Sequence, residues 1–238
     1  MRLFNKLFSK PFLLLAGGLL LTGAVRAQAP APPAALPAAP RNVLKIAPLG
    51  WVHGQMPFTV ESRLGYERVL GRRTSLMGSA SYLGSNPVFS FIGSFALSAA
   101  ISSAITLSGH PAVVWTETTL RASGSRYQVQ VRHYLGAAAR APQGLYLAPH
   151  YSFTRVDYTV KFDDFDYQLG LVTTNRNYNL LLGYQKVLGR HFAFDVFTGL
   201  GYQDKVTTIY AANGQLLDRL PYVSGLKLSS GLNLGWAF

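Results

Sequence analysis

The last fourteen residues, GLKLSSGLNLGWAF, constrain the fold more than any other stretch of the chain. Leu226, Leu228, Leu232, Leu234, Trp236 and Phe238 share one parity, broken only by Ser230. Lys227, Ser229, Gly231, Asn233, Gly235 and Ala237 share the other. Side chains alternate faces along a β-strand, so this segment presents one apolar face and one polar or small face. A helix would scatter both sets around its circumference.

The same alternation recurs. Phe58–Leu70 sets Phe58, Val60, Leu64 and Tyr66 against Glu61, Arg63 and Glu67. Thr74–Gly84 turns Leu76, Ala80 and Tyr82 to the apolar side. Arg126–Leu135 sets Tyr127, Val129, Val131 and Leu135 against Arg126, Gln128, Gln130 and Arg132. Leu145–Phe153 opposes Leu145, Leu147, Tyr151 and Phe153 to His150 and Ser152. Tyr178–Tyr184 and Phe192–Tyr202 follow, the latter with Asp195 on the polar side. With a less regular Asn42–Leu49 and the C-terminal segment, the count is eight, the smallest usual size for a membrane barrel. The predicted fold is all-β: an antiparallel up-and-down transmembrane barrel with apolar residues outward and polar ones in the lumen.

The connections alternate in length. Gly71–Arg73, Gly136–Gln143 and Gly189–His191 are short. Gly50–Pro57, Ser85–Ser125, Arg155–Asn177 and Gln203–Ser224 are long. Short periplasmic turns and long outer loops place both termini in the periplasm. Val88–Leu107 is uncharged and resists this scheme. It reads either as a helix or hairpin in the second outer loop, or as an extra strand pair that makes ten, with Val113–Trp115 and Thr116–Thr119 also strand-like. Tyr66–Arg73 (YERVLGRR) and Tyr184–His191 (YQKVLGRH) echo one another, as duplicated hairpins or as convergent turns would.

The N-terminus agrees with the compartment. Arg2, Lys6 and Lys10 precede an apolar run from Pro11 to Leu21, and Val25-Arg26-Ala27 offers a signal-peptidase site. The expected organisation is a signal peptide over 1–27, a Pro/Ala-rich periplasmic spacer over 28–41 and a barrel over 42–238. Removing the signal takes the net charge from +12 to +8. The basic residues are scattered, which argues against nucleic acid and fits a surface meeting anionic lipopolysaccharide. The chain has no cysteine, so disulfides, thiol chemistry and a lipoprotein anchor are excluded.

A terminal strand ending in an aromatic resembles those of bacterial outer-membrane barrels, and the resemblance implies recognition of Phe238 by the barrel-assembly machinery. Four anchors, Asn42-Val43-Leu44-Lys45, Leu64-Gly65-Tyr66-Glu67-Arg68, Arg132-His133-Tyr134-Leu135 and Gly144-Leu145-Tyr146, extend the likeness. Together they resemble a small outer-membrane barrel family of Bacteroidetes-type bacteria known only as a domain of unknown function, the DUF3575 group. The resemblance implies a fold and an outer-membrane location, and no reaction. The apolar insertion between Asn86 and Leu107 departs from it.

Few residues carry chemistry. Glu61, Arg63, Glu67, Arg126, Arg132, Asp195 and Lys227 fall on the lumen parity, where buried charges must pair. A salt-bridged plug is the expectation and a narrow selective pore the alternative. His150 and Ser152 share a face at a spacing that resembles lipid A deacylases, with Asp157 a candidate to orient the histidine. A lumen-packing role is preferred, so the chain is expected not to be an enzyme, with a lipid A esterase the second alternative. Asp163, Asp164 and Asp166 offer oxygen to Ca²⁺ without EF-hand spacing, and a solvated or arginine-paired loop is preferred. No motif for a cofactor or a nucleotide is present. The expected role is structural or interactive, with membrane lipids and lipopolysaccharide as surroundings and a protein partner unspecified.

Overall fold

A computed structural model of the chain describes residues 40–52, 54–109, 115–136, 140–162 and 167–238. The proposed signal peptide, spacer residues 28–39 and the Asp163/Asp164/Asp166 cluster lie outside the described residues.

The strands are β1 (Asn42–Ile46), β2 (Thr59–Val69), β3 (Thr74–Ser85), β4 (Thr118–Tyr134), β5 (Gly144–Phe162), β6 (Tyr167–Leu188), β7 (Phe192–Ala211), β8 (Leu216–Arg219) and β9 (Val223–Ala237). All pairings are antiparallel. The sheet runs from β6 through β1 to β9 and β7, and β6 pairs with β7, so eight strands close a ring. β8 is a short continuation beside the upper end of β7, separated from β9 by Leu220-Pro221-Tyr222. Proline has no N–H for a ladder and interrupts what is otherwise one strand.

Chain parity matches the sequence reading in the lower part of the ring. Val43, Lys45, Glu61, Glu67, Arg126, Arg132, Asp195 and Asn233 are buried inside, while Leu64, Tyr127, Leu182, Leu200 and Leu228 are exposed outside. The outward apolar band has aromatic borders. Tyr66, Tyr184, Phe192 and Trp236 lie at one end, and Tyr82, Tyr127, Tyr178 and Tyr202 at the other. The ten steps from Phe192 to Tyr202, at about 3.3 Å each and a tilt of about 40°, make a band about 25 Å tall.

The long connections are shorter than the sequence suggested. β5 runs on to Phe162 and β6 begins at Tyr167, so the expected loop over 155–177 is mostly strand. β4 begins at Thr118 and β7 ends at Ala211. On β5, beyond the upper aromatic ring, the alternation persists with its phase reversed. Val156 and Val160 are buried inside, whereas Arg155, Asp157 and Lys161 are outside and exposed. This upper wall is patterned as an ordinary half-buried sheet.

Of the two readings of the apolar segment, the helix is the one that forms, and the alternative extra strand pair is absent among the described residues. Pro87–Leu107 is a single helix, α1, so the ring holds eight strands and not ten. Asn86 caps it by accepting from the Val88 and Phe89 N–H groups, and Pro87 sits where a missing N–H costs nothing. Ser90, Ser94, Ser98 and Ser102, four residues apart, form one stripe. The stripe lies against β4 above the end of β3. Leu120, Thr118 and Thr116 donate their N–H groups to Ser94 Oγ (2.9 Å), Ser98 Oγ (3.1 Å) and Ser102 Oγ (2.9 Å). The helix thereby takes the place of a neighbouring strand. Phe58 supports its first turn from a left-handed φ of 60°, its carbonyl accepting from the Asn86 N–H and the Ser90 hydroxyl.

Ser98→Ala is expected to leave the Thr118 N–H unpaired in a buried site and to destabilise the fold by about 1–3 kcal/mol. Ser103→Ala, on an exposed position that bonds only its own helix, is expected to cost less than about 0.5 kcal/mol. Urea titration of the two variants provides the comparison.

Candidate functional site

The lumen is filled in tiers. In the lower one, short β1 brings Lys45 inward between β2 and β9. Its Nζ lies 2.7 Å from Glu67 Oε2 and 2.9 Å from Asp195 Oδ2. Arg132 enters from β4 and reaches the same carboxylates, Nη1 to Glu67 Oε2 at 3.3 Å and Nη2 to Asp195 Oδ2 at 3.0 Å. Two cations and two anions therefore close a neutral square. Tyr134 donates to Glu67 (2.8 Å), Tyr146 and Asn233 donate to Asp195 (2.7 and 3.0 Å), and Gln185 Oε1 accepts from both Lys45 and Arg132. The Arg132 guanidinium also stacks over the Tyr146 ring at 4.5 Å. Each charge gains several charge-assisted bonds, the condition for an ion pair to survive burial. Beside the square, Tyr134, Tyr146, Ala148 and Leu181 pack together with Ala141.

The upper tier is built differently. Glu61 is its single carboxylate, shared by Arg63 (2.8 Å) and Arg126 (3.3 Å) and bonded by Ser81. Lys227 also points inward and is half-buried. Above this tier the β1–β2 loop folds over, and Met56 packs against Leu83, Ala122 and Val156.

All seven charges predicted to face the lumen do so, and six of them are ion-paired. The sequence reading missed Lys45, the cation that joins both carboxylates of the lower square. Its signal was the alternation of Val43 and Lys45 against Leu44 and Ile46, short enough to pass as irregular. The Tyr66/Tyr184 echo also acquires a place. Glu67 and Gln185, equivalent in the two copies, stand on strands four apart in the ring of eight, on opposite walls, and both contact Lys45 and Arg132.

The His150–Ser152 pair does not assemble. His150 Nδ1 is 3.0 Å from Asn179 Nδ2. Ser152 Oγ instead accepts from Asn177 Nδ2 (3.0 Å) and Arg126 Nη2 (3.3 Å). Asp157 has the opposite parity, faces out and sits 3.6 Å from Arg155, so it does not orient His150. Among the described residues no group of three or more His, Cys, Asp or Glu side chains forms a metal cluster. No family model, curated protein or solved structure matches the chain.

Arg132→Met is expected to destabilise the barrel by about 3–5 kcal/mol, because it strands two buried carboxylates with one cation. Lys45→Met combined with Glu67→Gln, which removes one charge of each sign, is expected to cost less than the sum of the single changes. A double-mutant cycle in urea reads that coupling.

Proposed function

We propose that the chain is a small outer-membrane β-barrel with a structural or interaction role in a bacterial envelope. The observation that carries the reading is the reversal of polarity along the strands. Over about 25 Å the barrel is apolar outside and polar inside, bordered by aromatic side chains, as a lipid-facing wall requires. Above the upper ring the outer face turns polar, with Arg155, Asp157, Lys161, Gln168 and Arg176 exposed, as water requires. A sheet bathed wholly in water has no use for the first pattern, and one wholly in lipid has none for the second.

The four anchors of the DUF3575 likeness support kinship on the same ground. They contain Lys45, Glu67, Arg132, Tyr134 and Tyr146, the core of the lower square. That square, backed by packed tyrosines, favours a plugged lumen over a conducting one. The hydroxyl of Ser152, held by two donors and separated from the Glu61 carboxylate by the Arg126 guanidinium, lends no support to an esterase. The extended upper wall, flanked by α1, is the surface such a protein presents outward.

Fractionation tests location directly: the protein is expected in the outer membrane in a heat-modifiable folded form, and recovery as a soluble species overturns the proposal. Within the band, Leu182→Arg is expected to cost about 2–4 kcal/mol in liposomes. Gln168→Arg, outward on the same strand above the band, is expected to change stability by less than about 0.5 kcal/mol. Equal effects of the two in urea titrations from liposomes would place no membrane around the band.

A further inference from the structure

The two lumen tiers differ in their charge balance, and the difference points to a ligand. The lower square is neutral. The upper tier sets Arg63 and Arg126 against Glu61 alone, and two more cations face the same space. Lys227 lies within electrostatic range of Glu61, Arg126 and Lys205. Lys205 has the inward parity of Asp195 on β7 and is half-buried. Among the described residues, neither lysine has a carboxylate within ion-pair distance. Four cations thus share one anion.

The polar groups around the lysines are arrayed in register across β6, β7 and β9. Asn175 pairs with Lys205; Asn177 pairs with Gln203, which pairs in turn with Gly225; Asn179 pairs with Gly201, which pairs in turn with Lys227. All three asparagines are more than nine-tenths buried and face inward. Their amide nitrogens are engaged, by Met56 sulfur, Ser152 and His150 respectively. Their amide oxygens have no partner within the protein. Buried acceptors are rarely left empty, since each lost bond costs about 1–3 kcal/mol.

There is room on β9 and none on β7. A Cβ at Gly201 would collide with the Tyr178 carbonyl and the Asn179 amide oxygen, so this glycine lets the asparagine lie across β7. A Cβ at Gly225, on the inward parity, would meet no atom within 4 Å. The wall beside it is incomplete, because β1 leaves the ladder at Ile46, opposite Leu234, and only the short helical turn over Pro48–Trp51 follows it against β9.

We propose that this vestibule binds an anionic, hydroxyl-rich ligand, a phosphorylated sugar. Lys205 and Lys227 engage the phosphate, with Arg126 behind them, and the three amide oxygens, sealed by their neighbours, accept from sugar hydroxyls once those side chains turn. The same chemistry is offered by a soluble sugar phosphate entering from above and by a glycolipid headgroup entering through the β9 side. The inference goes beyond the envelope role and rests on the lumen alone.

The test is calorimetric titration of the folded full chain in zwitterionic detergent, with glucose 6-phosphate, glucose and inorganic phosphate as probes. Glucose 6-phosphate is expected to bind more tightly than either other probe, with affinity falling as salt is added. Lys205→Gln with Lys227→Gln is expected to weaken it at least about tenfold. Gly225→Leu, which fills the open space, is expected to weaken it comparably. Both variants are checked for retained heat-modifiability, so that loss of fold is read separately. Competition by detergent-dispersed lipopolysaccharide assigns the ligand to a glycolipid headgroup, and its failure assigns it to a soluble sugar; either outcome upholds the site. No binding by the wild-type chain, or undiminished binding by both variants, overturns it.

Discussion

The lower charge square is the constraint on which the rest of the barrel depends. An eight-stranded ring leaves a lumen just wide enough for side chains. Once apolar residues are turned outward, that lumen must be filled with polar groups, and each must find its partners there. Lys45, Glu67, Arg132 and Asp195 come from β1, β2, β4 and β7, so one network ties together four of the eight walls. Strand register follows, because a one-residue slip of any of these strands would send its charge to the outer face and strand its partners. Even β1, five residues long, is held in place by Lys45, its fourth residue.

Much of this architecture was legible because one rule, alternation, applies to every strand within the apolar band. Tyr127, Val129 and Val131 against Arg126, Gln128, Gln130 and Arg132 fix both the strand and its lumen face. Legibility stopped at Phe153, where the apolar side of β5 changes from outward to inward, and at Tyr178, beyond which the outward face of β6 turns polar at Arg176. A reader following one phase meets polar residues where apolar ones are due and infers a loop. Arg155–Phe162 alternates just as regularly as the residues before it, with the opposite sense. The helix was ambiguous for another reason. A segment of Ser, Ala and Phe has no strong periodicity in hydrophobicity, and its periodicity in hydrogen-bonding capacity, a serine every fourth residue, is invisible to a hydropathy reading. Asn86-Pro87 was the better signal, a capping residue followed by a residue suited to the first helical turn.

The echo between Tyr66–Arg73 and Tyr184–His191 shows how similar hairpins came to serve one network from two sides. Each supplies an inward side chain at its second position, Glu67 from one wall and Gln185 from the other. Glutamate in both positions would place three carboxylates against two cations. The glutamine keeps the hydrogen-bonding shape and removes the surplus charge, which is the condition for the square to be neutral.

The contact between α1 and β4 works as a vernier. Serines one helical repeat of four residues apart are spaced by about 6.0 Å along the axis. Alternate N–H groups on a strand are spaced by about 6.6–6.8 Å. Each step therefore loses about 0.7 Å, and three steps accumulate about 2 Å, near the limit that hydrogen-bond geometry tolerates. A helix can impersonate a strand over three or four rungs and no further. The serine stripe stops at Ser102, close to where that arithmetic says it must, and the length of β4 left without β3 beside it is the length a helix is able to cover.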